Sequence, residues 1–422
     1  SANQVIKTDG SGNLGFVTVE SGLAWQTIVT ASTLTAVAGR GYWIDTTSNT
    51  CTITLPSSAS NGDQIIFADY ARNWGTNKII IDSNGLNYQG EDDTYTVEYN
   101  TSGETINIVY SGATNGWIPL DDDAVADVPV APRTQKGIFG YGTTGSYSSL
   151  TNLVSSSGVI ATDTTGVGTA RQQPSAANYG GDKAIFGYGT NGSGKVSMTN
   201  LVNNSGVVAA DVTGVGTARS TLASATYGGD KAIFGYGLTA SNVSLTNLVS
   251  NSGVVSSDVT GVGTARQQLG ATGYGSTGQA LFGFGYSGST TSITNLVSNS
   301  GVVATDTAGV GTARYDLGAA TYGEDKALFA YGTTGSNPGV SLKNLVSNLG
   351  VVASDVTGVG TARLGLAACS YGGDKAIFAY GTTGTIVSMS NLVNSSGVIA
   401  SDVTGVGTAR TVLAAAGFSY AA

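Results

Sequence analysis

Histidine is absent from this 422-residue chain, and cysteine occurs only twice. Without histidine there is no Ser-His-Asp triad, no imidazole general base, and none of the usual zinc or copper sites. Cys51 and Cys369 stand in different regions, which excludes a disulfide framework or a cysteine cluster. Charge is scarce: 11% of residues are charged, against about a quarter in an ordinary globular protein. No basic patch dense enough for nucleic acid appears. No apolar run approaches the ~18 residues of a membrane span. No secretory leader opens the sequence, which begins at Ser1. Either the start was processed or a longer chain extends before it.

What is present is glycine, 63 residues of it, within a chain that is 41% hydrophobic. Disorder would need high charge and few aromatics, and neither holds. A folded, strand-rich protein turned by glycine is expected, surfaced by Ser, Thr and Asn. The length leaves room for two or three domains. Charge divides the chain. Residues 1–125 hold 14 acids and 4 bases, whereas residues 126–422 hold 13 acids and 14 bases. All four tryptophans, Trp25, Trp43, Trp74 and Trp117, lie in the first part.

The second part repeats. "GVGTAR" begins at Gly166, Gly214, Gly261, Gly309, Gly358 and Gly405. Between copies recur "IFGYG" (first at 138–142), "TNLVSSSG" (first at 151–158) and looser forms of "LAAATYG". Each period carries four segments of strand length separated by turn residues, which predicts a six-bladed β-propeller of four-stranded blades. A solenoid would need shorter periods or helices, and no helical periodicity is seen. The first repeat starts at "KGIFGYG" without its Ala-rich segment, and the chain ends on "TVLAAAGFSYAA". The last segment is therefore expected to pair with residues 137–142, closing the ring and hiding open edges. Its small side chains suit the innermost strand.

The unit running from "TAR" through "YGGDKAIFGYG" to "VSLTNLVSNSGVV" resembles a degenerate kelch repeat, with G-Y-G or A-Y-G for the double glycine and no tryptophan. The resemblance covers about 285 residues and implies fold rather than function. The copper chemistry of galactose oxidase, which shares the kelch architecture, needs histidines and does not carry over.

Residues 23–120 read as a β-sandwich or compact barrel, from alternating stretches at 51–56, 64–70, 78–85, 94–99 and 105–110. With the lead-in "ANQVIKTDGSGNLGFVTV" in residues 1–22, the stretches "GYWIDTTSNTCTITLPSSASNGDQIIFADY" and "IIIDSNGLNYQGEDDTYTVEYNTSGETINIVYSGATNGWIPL" resemble a domain of phage tail-fibre and other virion proteins. That resemblance implies a virion appendage and, by analogy, a homotrimer. Residues 121–135, with three Asp and two Pro, read as a semi-rigid linker to the propeller of residues 136–422.

GVGTAR lacks the third glycine, the lysine and the helix of a nucleotide-binding loop, so it reads as a structural turn. Its arginines, Arg171, Arg219, Arg266, Arg314, Arg363 and Arg410, sit in the loop entering each innermost strand and are expected to ring a channel mouth. They either pair with recurrent aspartates such as Asp163, Asp211 and Asp258, or with carbonyls, or some bind an anion or sugar. Strand alternation places this loop on the same face as the loop between second and third strands. That second loop varies from repeat to repeat, as do the two residues after each arginine (Gln172-Gln173, Ser220-Thr221, Tyr315-Asp316, Leu364-Gly365), while the "YGGDK" and "NSG" turns stay nearly constant. Varied loops on a constant scaffold are where binding is expected, with relaxed drift as the alternative. The candidate receptor-binding residues are Tyr147, Lys195, Asn242, Tyr286, Tyr315 and Asn337.

A sialidase-like site would need an arginine cluster with a Tyr–Glu pair, and the repeats hold a single Glu, Glu324. "DSNGLNYQGEDD" (82–93) has carboxylates but not the spacing of an EF-hand. No enzyme, cofactor or metal site is expected. The reading is a structural protein on the virion of a tailed phage, a fibre or appendage that meets other virion proteins and attaches to a host-surface glycan. A capsid or collar decoration protein, or a cellular surface adhesin, are the alternatives.

Overall fold

A computed structural model describes residues 4–8, 14–18, 23–94, 97–120, 135–335 and 339–419, the first two segments as backbone only. The expected linker lies outside the described residues except for Gln135. Among the described residues the protein is all-β, with many small sheets and no helix. It divides into two compact units, one before residue 133 and one from there on.

In the first unit, strands β1 (Gln4–Thr8) and β2 (Leu14–Thr18) form an antiparallel pair. Nine further strands follow: β3 (Ala24–Trp25), β4 (Thr33–Thr35), β5 (Arg40–Ile44), β6 (Cys51–Thr54), β7 (Gln64–Asp69), β8 (Ile79–Asp82), β9 (Val97–Tyr99), β10 (Thr105–Tyr110) and β11 (Trp117–Pro119). One sheet runs β11-β10-β7-β5-β3 and the other β4-β6-β8-β9. From β3 to β8 the chain crosses to the other sheet with every strand. As a result β3, β5 and β7 lie parallel, as do β4, β6 and β8. Inward residues such as Tyr42, Ile53, Ile65, Phe67, Ile79, Trp74 and Trp117 share one core between the sheets. The period-2 alternation of "TINIVY" is what half-buried strands require. Trp25 and Trp43 depart from the other two tryptophans: they are exposed and stack on each other at 4.2 Å.

The second unit holds six three-stranded antiparallel sheets. Five consist of consecutive strands: Ser175–Tyr179, Lys183–Gly187 and Thr199–Val202; Ala223–Tyr227, Lys231–Gly235 and Thr246–Val249; Gly270–Tyr274, Gln279–Gly283 and Thr294–Val297; Gly318–Tyr322, Lys326–Ala330 and Lys343–Val346; Ala367–Tyr371, Lys375–Ala379 and Ser390–Val393. The sixth joins the two ends of the unit, with Ala414–Phe418 pairing Lys136–Gly140, which also pairs Thr151–Val154. Ala414 opposes Gly140 and Phe418 opposes Lys136. The first strand of each sheet lies beside that of the next, and Ala414–Phe418 lies beside both Ala367–Tyr371 and Ser175–Tyr179. Every middle strand is buried on both faces at Ile/Leu-Phe, which explains why "AIFG" is a continuous apolar run and not an alternating one.

The expected fourth strand is not a ladder strand. Residues 159–164 meet Thr151–Val154 only at two bridges, Val154↔Ile160 and Thr151↔Thr164. Two residues stand between the bridges on one strand and three on the other, so the segment carries one extra residue, as in a β-bulge. The same offset recurs in all six repeats, for example at Val202↔Val208 and Thr199↔Val212. The Asn152 side chain fills the gap, donating to Ala161 O at 3.0 Å and to Asp163 Oδ1 at 2.9 Å. Asn200, Asn247, Asn295, Asn344 and Asn391 do the same.

Candidate binding face

The bulge aims an aspartate at the GVGTAR turn of the preceding repeat. The Thr169 N–H and hydroxyl donate to Asp211 at 3.0 and 2.6 Å. Thr217 meets Asp258, Thr264 meets Asp306, Thr312 meets Asp355 and Thr361 meets Asp402 in the same way. Thr408 meets Asp163, joining the last copy to the first repeat. This contact explains the glycines of the motif. Gly168 has φ +76°, and a Cβ on it would meet the Asp211 carboxylate and come within 2.6 Å of Asn200 Nδ2. A Cβ on Gly166 would run into Ser149. Burial acts to raise the Asp163 carboxyl. Hydrogen bonds from the Thr408 hydroxyl, the Asn152 amide and the Thr408 N–H, with the charge of Arg410, outweigh burial and hold it below its ordinary value.

The six arginines do not ring a channel mouth. Each is fully buried. The Arg171 guanidinium lies 4.0 Å from the centre of the Tyr141 ring, and its Nε donates to Tyr188 O in the next repeat at 2.9 Å. Arg219, Arg266, Arg314, Arg363 and Arg410 stack in turn on Tyr188, Tyr236, Phe284, Tyr331 and Tyr380. Arg410 Nε reaches Tyr141 O, and Arg410 Nη1 lies 3.4 Å from Asp163. Guanidinium stacking and carbonyl bonds in a dry site make each arginine an inter-sheet fastener. The pairing with aspartates and carbonyls is the arrangement present; a sugar or anion has no access to these side chains. The aromatic partners carry positive φ, 64° at Tyr141 and 62° at Tyr188. That is a costly conformation for a bulky residue, held by the arginine above and by edge contacts such as Tyr141–Phe186 at 5.1 Å.

Two residues after each arginine stand Gln173, Thr221, Gln268, Asp316, Gly365 and Val412, all with positive φ. Each N–H donates to the carbonyl of its counterpart one repeat back, and the Gln173 N–H donates to Val412 O, so the six bonds form a cycle. These residues, with the starts of the six first strands, line a cavity of about 130 Å³. At the other ends of those strands a second cycle links the turns, from Gly180 N to Asp230 O around to Ser419 N to Asp182 O. That end opens into a wider cavity of about 690 Å³, where Glu324 lies among the lining residues. Neither lining includes an arginine, so Glu324 and the arginine set are not assembled into a sialidase-like site.

The residue after each arginine bridges the loop between second and third strands: Gln172↔Thr190, Ser220↔Leu238, Gln267↔Tyr286, Tyr315↔Thr333, Leu364↔Thr382 and Thr411↔Thr143. The two varied loop sets therefore share one face, as strand alternation required. Tyr147 and Lys195 are exposed there, on the loops of two neighbouring repeats. Asn242, Tyr286 and Tyr315 come together: Asn242 Nδ2 donates to Tyr286 O at 3.2 Å, and the two tyrosine rings meet edge-on at 5.5 Å. All three keep part of their surface accessible. Asn337 lies outside the described residues. Sequence reading counted Asp316 among the varied residues after the arginines without making it a candidate site residue, and it passed over the asparagines of "TNLV". The signal of the asparagines was an amide unchanged in every repeat, directly before the apolar Leu-Val pair.

In residues 82–93, Asp82 caps the Asn84 N–H and accepts from the Thr54 hydroxyl, and Asp92 accepts from Thr94. These carboxylates serve turns. No group of three or more metal-ligating side chains occurs among the described residues. Compared with known proteins, the chain matches no family model, and no curated protein matches it.

Proposed function

We propose that the six sheets are the blades of a six-bladed β-propeller and that the first unit is a β-sandwich-like mount. In this reading the protein is a structural component of a tailed-phage virion, a fibre or appendage carried as a homotrimer, whose varied face attaches to a host-surface glycan. Support for the ring comes from bonds that run from each repeat to the next and from the last back to the first, in the Thr–Asp, arginine and channel-mouth sets alike. The phage assignment rests on the resemblance of residues 2–120 to fibre domains, and the trimer on the same analogy.

The observation that carries the binding role is the Asn242–Tyr286–Tyr315 cluster. It puts two partly accessible aromatic rings and an amide on loops that differ between repeats. Tyrosine faces and amides suit the apolar faces and hydroxyls of an uncharged sugar. Three copies would multiply a weak single-site affinity. A glycan array probed with the intact protein tests this: binding that is lost when the Asn242 and Tyr286 loops are exchanged for the equally long "TTGTIVS" loop of residues 382–388 supports it.

A second reading, capsid or collar decoration with contacts to virion proteins only, is favoured by one feature. Val159, Val207, Val254, Val302, Val351 and Val398 stand at equivalent places in the six repeats, each more than half exposed. A repeated exposed apolar residue suits a protein partner. Attachment to purified capsids without binding to any glycan or cell would replace the first reading with this one.

A further inference from the structure

We propose that the narrow cavity at the arginine end of the second unit binds a primary ammonium group, held by Asp316 with Gln173, Gln268 and Thr221. This site is distinct from the Asn242–Tyr286–Tyr315 cluster and does not depend on the glycan reading. Six equivalent backbone positions form the mouth, yet they carry Gln173, Thr221, Gln268, Asp316, Gly365 and Val412. The backbone is cyclic while the chemistry is one-sided. Two amides, a hydroxyl and one carboxylate occupy four consecutive positions, followed by a glycine and a valine.

Asp316 is the single ionisable residue in the lining; no lysine, arginine or second acid faces it from any of the six first strands. The nearby Arg314 is committed elsewhere, to the Phe284 ring, Tyr331 O and Asp355. Asp316 accepts one hydrogen bond, from Gln268 Nε2 at 2.8 Å. A carboxylate sheltered in this way without a countercharge is costly, and burial pushes its carboxyl up to about 6 despite the Gln268 bond. A bound cation removes that cost. One carboxylate among neutral oxygens compensates one positive charge and leaves a divalent ion undercompensated. The cavity of about 130 Å³ is far larger than a bare ion needs. It holds the equivalent of about four waters, at ~30 Å³ each, which suits an ammonium group with a few attached atoms. An ammonium has three N–H donors, matching the acceptors of Asp316, the glutamine carbonyl oxygens and Thr221.

The experiment is calorimetric titration of the whole protein with ethanolammonium and with glucosamine, each against its neutral counterpart, ethylene glycol and glucose. Saturable binding of the amines is expected at about pH 7, where they carry the ammonium charge and Asp316 is mostly ionised, weaker by about tenfold or more in Asp316→Asn and below about pH 5. Asp325→Asn, in the wide cavity, should leave it unchanged. The thermal midpoint of Asp316→Asn, expected at or above that of the unaltered protein, separates lost binding from lost folding. Equal binding of the neutral counterparts, unchanged binding by Asp316→Asn, or no saturable binding would overturn the proposal. So would potassium or calcium binding at this site that ethanolammonium does not displace.

Discussion

Thr408 and Asp163 lie 245 positions apart, yet the Thr408 N–H donates to the Asp163 carboxylate at 2.9 Å, with the hydroxyl alongside. The same pair spans 41 to 43 positions everywhere else in the unit. This long-range copy does between the ends of the unit what five local copies do between neighbours. Asp163→Ala should cost about 1–3 kcal/mol, because the buried Asn152 amide loses one of its acceptors and the Thr408 and Arg410 contacts go with it. Asp258→Ala should cost a similar amount at equilibrium. Asp163→Ala should additionally speed exchange of amides in Lys136–Gly140 and Ala414–Phe418, read by hydrogen exchange.

Arg219→Ala should destabilise the unit by roughly 3–5 kcal/mol, the range for breaking a buried charged network. Arg219→Lys should recover only part of this, because an ammonium cannot both stack on Tyr188 and reach Tyr236 O and Asn247 Oδ1. Denaturant unfolding checks both. A fully buried arginine makes no external contact, so ligand binding by the folded fraction should not change.

Gly168→Ala should cost more than the ~1 kcal/mol ordinarily charged to a residue at positive φ, because the new Cβ also strikes Asp211 and Asn200. Gly181→Ala has a similar φ of +77° but open space around it, and should cost only the backbone part. The difference between their thermal midpoints isolates the packing contribution.

Acid should act on two sets of carboxyls with opposite sign. Asp163, Asp211, Asp258, Asp306, Asp355 and Asp402 are held below their ordinary value in the fold. Their stabilisation is full above the unfolded value near 4 and is lost as pH falls through the folded values. Asp316, raised to about 6, favours the fold most when protonated and costs stability as pH rises from about 4 to 6. Asp316→Asn should therefore gain up to ~3 kcal/mol over the unaltered protein at neutral pH and nothing below about pH 4. Asp258→Asn should show its deficit at neutral pH and lose it in acid. Chemical unfolding across this range, without added amine, measures both.

Tyr286→Ala with Tyr315→Ala should abolish attachment to a glycan that the intact protein binds, while Tyr147→Ala, on a different loop, should weaken it far less. The thermal midpoint of the double variant should fall only slightly, since both rings are partly accessible.

The repeat period, the turn glycines and the phase of the first repeat were enough to anticipate six sheets and the pairing of 414–418 with 136–140, because each is a local pattern repeated. Strand direction was enough to place the two varied loop sets on one face. The arginines were misplaced for a physical reason. Their burial depends on an aromatic ring from one repeat and a carbonyl from the next, a meeting that no single repeat encodes. The fourth segment looked like a strand because it has strand length and lies between turn residues. The extra residue that breaks its ladder shows only once Asn152 and Asp163 are seen filling the gap. Asp316 was hidden for the opposite reason: it is the exception among six equivalent positions, and its meaning comes from the cavity they line.

Electron microscopy of an intact tailed-phage particle carrying this chain tests the central claim most directly. The account predicts the chain on the particle surface, a six-bladed ring in its density, and the loops of Tyr147, Asn242 and Tyr286 turned outward to the host. A particle in which those loops are buried against another virion protein, or in which the chain is not found on the surface, would contradict it.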